Sequence, residues 1–160
     1  MLQNDLPPLR SRELTFAVFG VVEAGCYDLQ EAIYHHYQGL DKMRAHEKLN
    51  YVEFPAARLE ATRDFFSAAF GWEFDEYGPD YCAFNGQGLD GGFYRSPLYS
   101  STQVGAALLV FYSDDLDATQ AKVEAAGGKI VKPAFDFPGG RRFHFSEPSG
   151  NEFAVWTAID

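Results

Sequence analysis

Apolar and polar positions change rhythm along this chain. From Leu49 to Phe54 they alternate, as on a half-buried strand. Over Leu59 to Phe70 the apolar residues Leu59, Phe65, Phe66, Ala69 and Phe70 fall at helical spacing, and Gly71 marks the stop. Trp72 to Phe74 resumes a strand, Gly78-Pro79-Asp80 reads as a turn, and Tyr81 to Phe84 is a further strand. Asn85-Gly86-Gln87-Gly88 reads as a hairpin turn into Leu89 to Tyr94. The order is β, α, β, β, β.

The same order then returns. Ala106 to Tyr112 is a strand, Leu116 to Ala126 a helix, and Gly127-Gly128 its stop. Lys129 to Val131, Arg142 to Phe145 and Glu152 to Trp156 are strands, the last two joined by the turn Glu147-Pro148-Ser149-Gly150. Shifted by 57 residues, Phe54 meets Phe111, Leu59 meets Leu116, Ala61-Thr62 meets Ala118-Thr119, and Gly71 meets Gly128. Agreement at strand, helix and stop together marks an internal repeat of one supersecondary unit. Residues 95 to 104, rich in Ser, Thr and Pro, form the link between modules 47–98 and 104–160.

Residues 1–46 lie outside the repeat. Thr15 to Val22 reads as a strand. Asp28 can cap a short helix carrying Leu29, Ile33 and Tyr37 on one face, which Gly39 would end. Two readings stay open: a packed N-terminal arm, or an upstream extension with Met43 as the natural start.

Composition narrows the function classes. The apolar fraction of 46% and charged fraction of 22% fit a packed core. Aromatic residues reach 16%, which fits either β-rich packing or a ring-lined pocket. A net charge of −10 and pI of 4.7, with no basic run, argue against nucleic-acid and membrane partners. Two scattered cysteines, Cys26 and Cys82, make neither a disulfide framework nor a metal motif. The first residues carry no basic leader, and Phe16 to Val22 is too short to span a bilayer. A cytoplasmic location is the expectation.

Leu49-Asn50-Tyr51-Val52-Glu53-Phe54-Pro55, Asp64-Phe65-Phe66 and Phe70-Gly71-Trp72 resemble the first module of the glyoxalase/bleomycin-resistance/dioxygenase superfamily, also called vicinal oxygen chelate. Ser113-Asp114-Asp115-Leu116-Asp117-Ala118, Gly127-Gly128-Lys129 and Glu147-Pro148-Ser149-Gly150-Asn151-Glu152 resemble its second module. The resemblance covers residues 47–160. It implies an α+β fold of two tandem βαβββ modules whose curved sheets form a cup, often completed by a second subunit. A homodimer is therefore expected.

Metal-dependent members of that family carry one His, Gln or Glu at each of four strand positions. The resemblance places these on Tyr51, at or beside Gly92, on Leu108 and on Ala154. Gly, Leu and Ala supply no donor, so neither a metal nor another cofactor is expected at the usual place.

Alternation assigns the remaining cup residues. Glu53 shares the face of Tyr51, and Glu152 and Trp156 share that of Ala154. The resemblance puts Arg142 and His144 where phosphonate-processing members hold substrate, and the repeat sets Cys82 and Tyr94 in the other half. Glu53 reads as a general base or as the partner of Arg142 in a buried ion pair. His144 reads as an acid/base or a hydrogen-bonded core histidine. Arg142 reads as a clamp for carboxylate or phosphate, or as a salt bridge to Glu53 or Glu152. Tyr51 and Tyr94 read as donors to a substrate oxygen or as packing, and Trp156 as core or stacking platform. His35, His36 and His46 read as surface residues.

Three functions follow as expectations. The first is a metal-independent lyase or isomerase acting on a small carbonyl or acid, with Glu53 and His144 exchanging protons and Arg142, Tyr51, Tyr94, Glu152 and Trp156 holding substrate. The second is a drug-sequestering binding protein, for which net acidity favours a cationic ligand. The third is a relocated metal site built from Glu53, His144 and Glu152.

Overall fold

A computed structural model describes residues 46–159. The chain divides into two units, Met1–Asn50 and Tyr51–Asp160, and every described element belongs to the second. The expected strand at Thr15 to Val22, the helix from Asp28 and the alternative start at Met43 lie outside the described residues, as do Cys26, His35 and His36.

The first module is β1 (Tyr51–Ala56), α1 (Leu59–Phe70), β2 (Phe74–Glu76), β3 (Tyr81–Gln87) and β4 (Leu89–Arg95). A 3-10 turn, Thr102–Val104, leads to the second: β5 (Leu109–Tyr112), α2 (Leu116–Ala125), β6 (Lys129–Phe137), β7 (Gly140–Ser146) and β8 (Glu152–Ala158). Each module is a four-stranded mixed sheet. The orders are β1-β4-β3-β2 and β5-β8-β7-β6, so the sequence repeat is a topological repeat. In both sheets the first strand pairs parallel to the last, and the other pairings are antiparallel.

The helices end where the glycines predict. Gly71, at φ 71°, lets its own N–H reach Ser67 O and the Trp72 N–H reach Phe66 O. The start of α2 is capped by Asp115, whose carboxylate accepts the Ala118 N–H at 2.9 Å. The start of α1 has no side-chain cap of its own, and the Arg58 N–H instead donates to Ser149 Oγ across the modules.

Both sheets turn one face toward a shared aromatic core. Phe54, Cys82, Phe84 and Phe93 come from the first sheet, and Phe143, Phe145, Phe153 and Val155 from the second. Helix α1 joins them, since Phe66 packs on Phe93 of one sheet (5.3 Å between ring centroids) and on Phe153 of the other (5.4 Å). Phe65 and Phe70 reach Phe145 and Phe111 of the second sheet.

Two expectations need correction. Trp72 does not begin a strand. It is a core residue, 4.4 Å from both Phe66 and Phe84, and β2 starts at Phe74. The strand expected at Lys129 to Val131 runs on to Phe137. Pro133 hides it in the sequence, because proline cannot donate to a ladder, but β6 is an edge strand whose register shifts there. The linker is bonded to the second module: Ser100 O accepts the Glu152 N–H at 2.7 Å, and the Ser100 N–H donates to Asn151 Oδ1 at 2.8 Å.

Candidate functional site

Because strands alternate, the residues opposite the core form an outer face on each sheet. In the first sheet this face carries Tyr51, Glu53, Tyr81, Gly92 and Tyr94. The Tyr81 hydroxyl donates to Glu53 Oε1 at 3.0 Å and lies 2.8 Å from the Tyr51 hydroxyl. Since the Tyr81 proton points to the carboxylate, Tyr51 is the donor in the second bond. Burial, reinforced by these two hydrogen bonds, pushes the Tyr81 phenol well above its ordinary range. Gly92 makes room for this ring, because a Cβ there would overlap the Tyr81 hydroxyl. Tyr81 was missed by sequence reasoning. Its signal was the alternation on β3, which puts Tyr81 and not Cys82 on the face of Tyr94.

Cys82 is accordingly a correction. It is a free thiol buried in the core, and burial raises its pKa. Glu53 is corrected too: it is exposed, and its partner is Tyr81 rather than Arg142.

In the second sheet the outer face carries Val110, Tyr112, Arg142, His144, Glu152, Ala154 and Trp156. His144 Nδ1 lies 2.9 Å from Glu152 Oε1, and both residues are buried. The second carboxylate oxygen accepts the Thr102 backbone N–H at 2.8 Å and its hydroxyl at 2.7 Å. Burial alone would raise the Glu152 pKa. The hydrogen bonds from His144 and from the Thr102 side chain and backbone outweigh it and leave the pKa lowered. A carboxylate only accepts, so His144 Nδ1 donates to Glu152 and Nε2 is left as the ring's second nitrogen. That Nε2 is buried and has no partner among the described residues.

Arg142 sits two residues away on the same face. Its guanidinium stacks on Phe135 and Phe137, at 5.1 and 5.3 Å from the ring centroids, and its Nε is buried without a partner. Neither expected salt bridge to Glu53 or Glu152 forms. Trp156 is half-buried on this outer face, 5.2 Å from the Tyr112 ring and 6.1 Å from Phe137, and does not belong to the core. Tyr94 is 37% exposed on the first sheet.

The sequence-predicted set thus divides into two groups. Tyr51, Glu53 and Tyr94 stand on the first sheet, and Arg142, His144, Glu152 and Trp156 on the second. No hydrogen bond, ion pair or ring contact joins the groups among the described residues. No three His, Cys, Asp or Glu side chains gather as a metal site among those residues, so the relocated set Glu53, His144 and Glu152 is not assembled within the chain. The four family ligand positions do not fit a cation either. Leu108, Gly92 and Ala154 lack donors, and the Tyr51 hydroxyl is engaged by Tyr81. Two surface recesses, of about 490 and 170 Å³, lie elsewhere, and neither is lined by Arg142, His144 or Glu152.

The dyad has a consequence for acid stability. A carboxylate whose folded pKa lies below its ordinary 4.5 contributes stability that is fully present above 4.5 and is lost as pH falls through the lowered value. Glu152→Gln is expected to lower the urea midpoint at pH 7 and to flatten its decline below about pH 4.5. An unchanged slope in that window would show that Glu152 does not carry the effect.

Comparison with known proteins agrees with this architecture. The model of the Glyoxalase/Bleomycin resistance protein/Dioxygenase superfamily matches residues 48–155. The anthracycline biosynthesis protein DnrV of Streptomyces peucetius is 31% identical over 116 residues, which are 61% of this chain and 42% of that protein. The chain therefore spans less than half the length of that relative. A glyoxalase-related enzyme from Fulvimarina pelagi superposes with a TM-score of 0.60 at 18% identity, covering 70% of this chain and 88% of that one. TnmS3, an antibiotic binding protein from Streptomyces sp. CB03234, superposes with a TM-score of 0.53 at 20% identity, covering 72% and 99%. No helix among the described residues is long and apolar enough to cross a membrane. A duplicated βαβββ topology, on a stretch matched almost end to end by one family model, places this chain in the glyoxalase/bleomycin resistance protein/dioxygenase superfamily.

Proposed function

We infer that the chain binds a small organic molecule against the outer face of its second sheet and exchanges a proton with it through His144, without a metal. The buried His144–Glu152 pair carries this reading. A carboxylate that accepts from Nδ1–H orients the ring and leaves Nε2 for the ligand, which suits proton transfer in a lyase or isomerase. Arg142 holds the acidic or carbonyl end of the ligand, and Trp156 forms a wall. Glu53 is exposed on the other sheet and takes no part within one chain. Pure sequestration is the second reading, supported by exposed aromatic and aliphatic side chains such as Tyr112 and Val110 and by the antibiotic-binding neighbour.

Chelator-treated protein would be screened against a panel of small aromatic acids and carbonyl compounds by ligand-observed NMR. Binding is expected to weaken in Arg142→Ala, and turnover of any converted compound to fall roughly 10²–10⁴-fold in His144→Ala. Binding without turnover selects sequestration. Binding and turnover that survive both substitutions, or that require an added divalent cation, would sink the proposal.

The outer faces also favour a second copy. Tyr51, Tyr94, Val110 and Tyr112 are each at least 37% exposed there, and apolar surface of this kind is commonly covered by association. Sedimentation equilibrium is expected to give twice 17.9 kDa, and a stable single-chain mass at high concentration would count against the dimer.

A further inference from the structure

The carboxylate of Glu152 is gripped from two directions. Oε1 accepts from His144 Nδ1 at 2.9 Å. Oε2 accepts the Thr102 backbone N–H at 2.8 Å and the Thr102 hydroxyl at 2.7 Å. Among the described residues no arginine or lysine pairs with Glu152, and Arg142 faces Phe135 and Phe137 instead. The terminal torsion of a glutamate is broad and roughly two-fold, so the group has no direction of its own. Two donors from one residue, converging on one oxygen, set its plane and leave the other oxygen aimed at the imidazole.

Thr102 belongs to neither sheet. It opens the 3-10 turn of the linker, in which the Val104 and Ala106 N–H groups donate to Ser101 O at 3.2 and 3.0 Å and the Gly105 N–H to Thr102 O at 3.1 Å. The first N–H of such a turn has no partner inside it, so that of Thr102 is free for Glu152. Just before it, Ser100 bonds to the start of β8 through both its backbone groups, to the Glu152 N–H and to Asn151 Oδ1. The turn is therefore held in place independently of the carboxylate it grips. Thr102 is exposed, whereas Glu152 and His144 are 4% and 7% exposed, so a surface turn reaches down to a buried pair.

We propose that Thr102 is a positioning residue for His144, acting through Glu152: the linker turn fixes the carboxylate, and the carboxylate fixes the imidazole. This rests on the reading that His144 exchanges a proton with a ligand, and it adds to that reading a residue from outside both sheets. The hydroxyl is the part of the side chain that acts. Valine in its place keeps the branched shape and the backbone N–H but removes one of the three donors, so Glu152 regains part of its rotation. Serine keeps the hydroxyl and loses only the methyl group.

The test reads the ring N–H groups of the full chain, labelled with nitrogen-15 in its histidines and free of ligand. There are four histidines, and the signals of His144 are identified by their absence in His144→Gln. Correlations to the ring protons separate Nδ1 from Nε2. A ring N–H bonded to a buried carboxylate exchanges slowly with water, and one released from it exchanges fast. The wild-type chain is expected to show a protected Nδ1–H. Its exchange should be roughly tenfold faster in Thr102→Val, the loss of about one hydrogen bond to a charged group, and should return to the wild-type rate in Thr102→Ser. An unchanged rate in Thr102→Val would overturn the assignment, as would a serine variant as fast as the valine one or a wild-type chain with no protected Nδ1–H. Since no ligand takes part, a chain found to have no proton-exchange chemistry would sink the functional reading while the Thr102 result stood by itself.

Discussion

Phe66→Ala is expected to lower the unfolding free energy by about 3–5 kcal/mol, read from urea denaturation. Phe66 is fully buried and is the residue of α1 that both sheets share. Its ring stacks on Trp72 at 4.4 Å and on Phe93 at 5.3 Å, and meets Phe153 edge-on at 5.4 Å. Truncation removes the transfer energy of the ring and leaves a cavity bordered by rigid rings, which collapse poorly into it. The same contacts tie the modules together, so unfolding should remain one cooperative transition for the 51–160 unit. A loss below about 1 kcal/mol would mean that the core closes over the gap.

Glu147→Gln should cost about 2–4 kcal/mol in the same assay. Glu147 is buried in the β7–β8 turn, and all its lone pairs are spoken for. Oε1 accepts the Asn151 N–H at 2.9 Å and Asn151 Nδ2 at 2.8 Å. Oε2 accepts the Thr62 hydroxyl of α1 at 2.6 Å and the Ser149 N–H at 2.7 Å. An amide would aim its own N–H groups at two of these donors, leaving buried polar groups opposed and unpaired. Asn151 extends the clasp by donating to Pro55 O at 2.7 Å, which links the turn to β1. Thr62→Val combined with Glu147→Gln should cost less than the sum of the two, because the hydroxyl and the carboxylate share one bond. Full additivity would place the loss outside the clasp.

The two clusters on the outer faces differ in kind. The Tyr51–Tyr81–Glu53 chain is exposed and satisfies itself, with Tyr81 filling the space that Gly92 leaves open at a family ligand position. In the Arg142–His144–Glu152 group His144 and Glu152 are buried, and two buried nitrogens, Arg142 Nε and His144 Nε2, are left unpaired among the described residues. An unsatisfied pair is the better mark of a ligand, since water or a partner must meet it. This is why the proposed chemistry belongs to the second sheet.

Local patterns determined a great deal by themselves. Helical spacing from Leu59 to Phe70 with Gly71 after it, and the matching signals 57 residues on, were enough for two βαβββ modules, because period and stop residues are set within a few positions of each other. Alternation likewise put Arg142 and His144 on one face of β7 and Glu152 and Trp156 on one face of β8. The lack of donors at Gly92, Leu108 and Ala154 was equally legible. Only the tertiary structure decided which faces meet. It gave Glu53 to Tyr81 and Glu152 to His144 rather than either to Arg142, and brought Thr102 from the linker to hold the Glu152 carboxylate. It also placed Tyr81 in the gap at Gly92 and Trp72 in the core. Such pairings join residues from 8 to 50 positions apart. They depend on strand register and on how the sheets share α1, and no local rhythm encodes either.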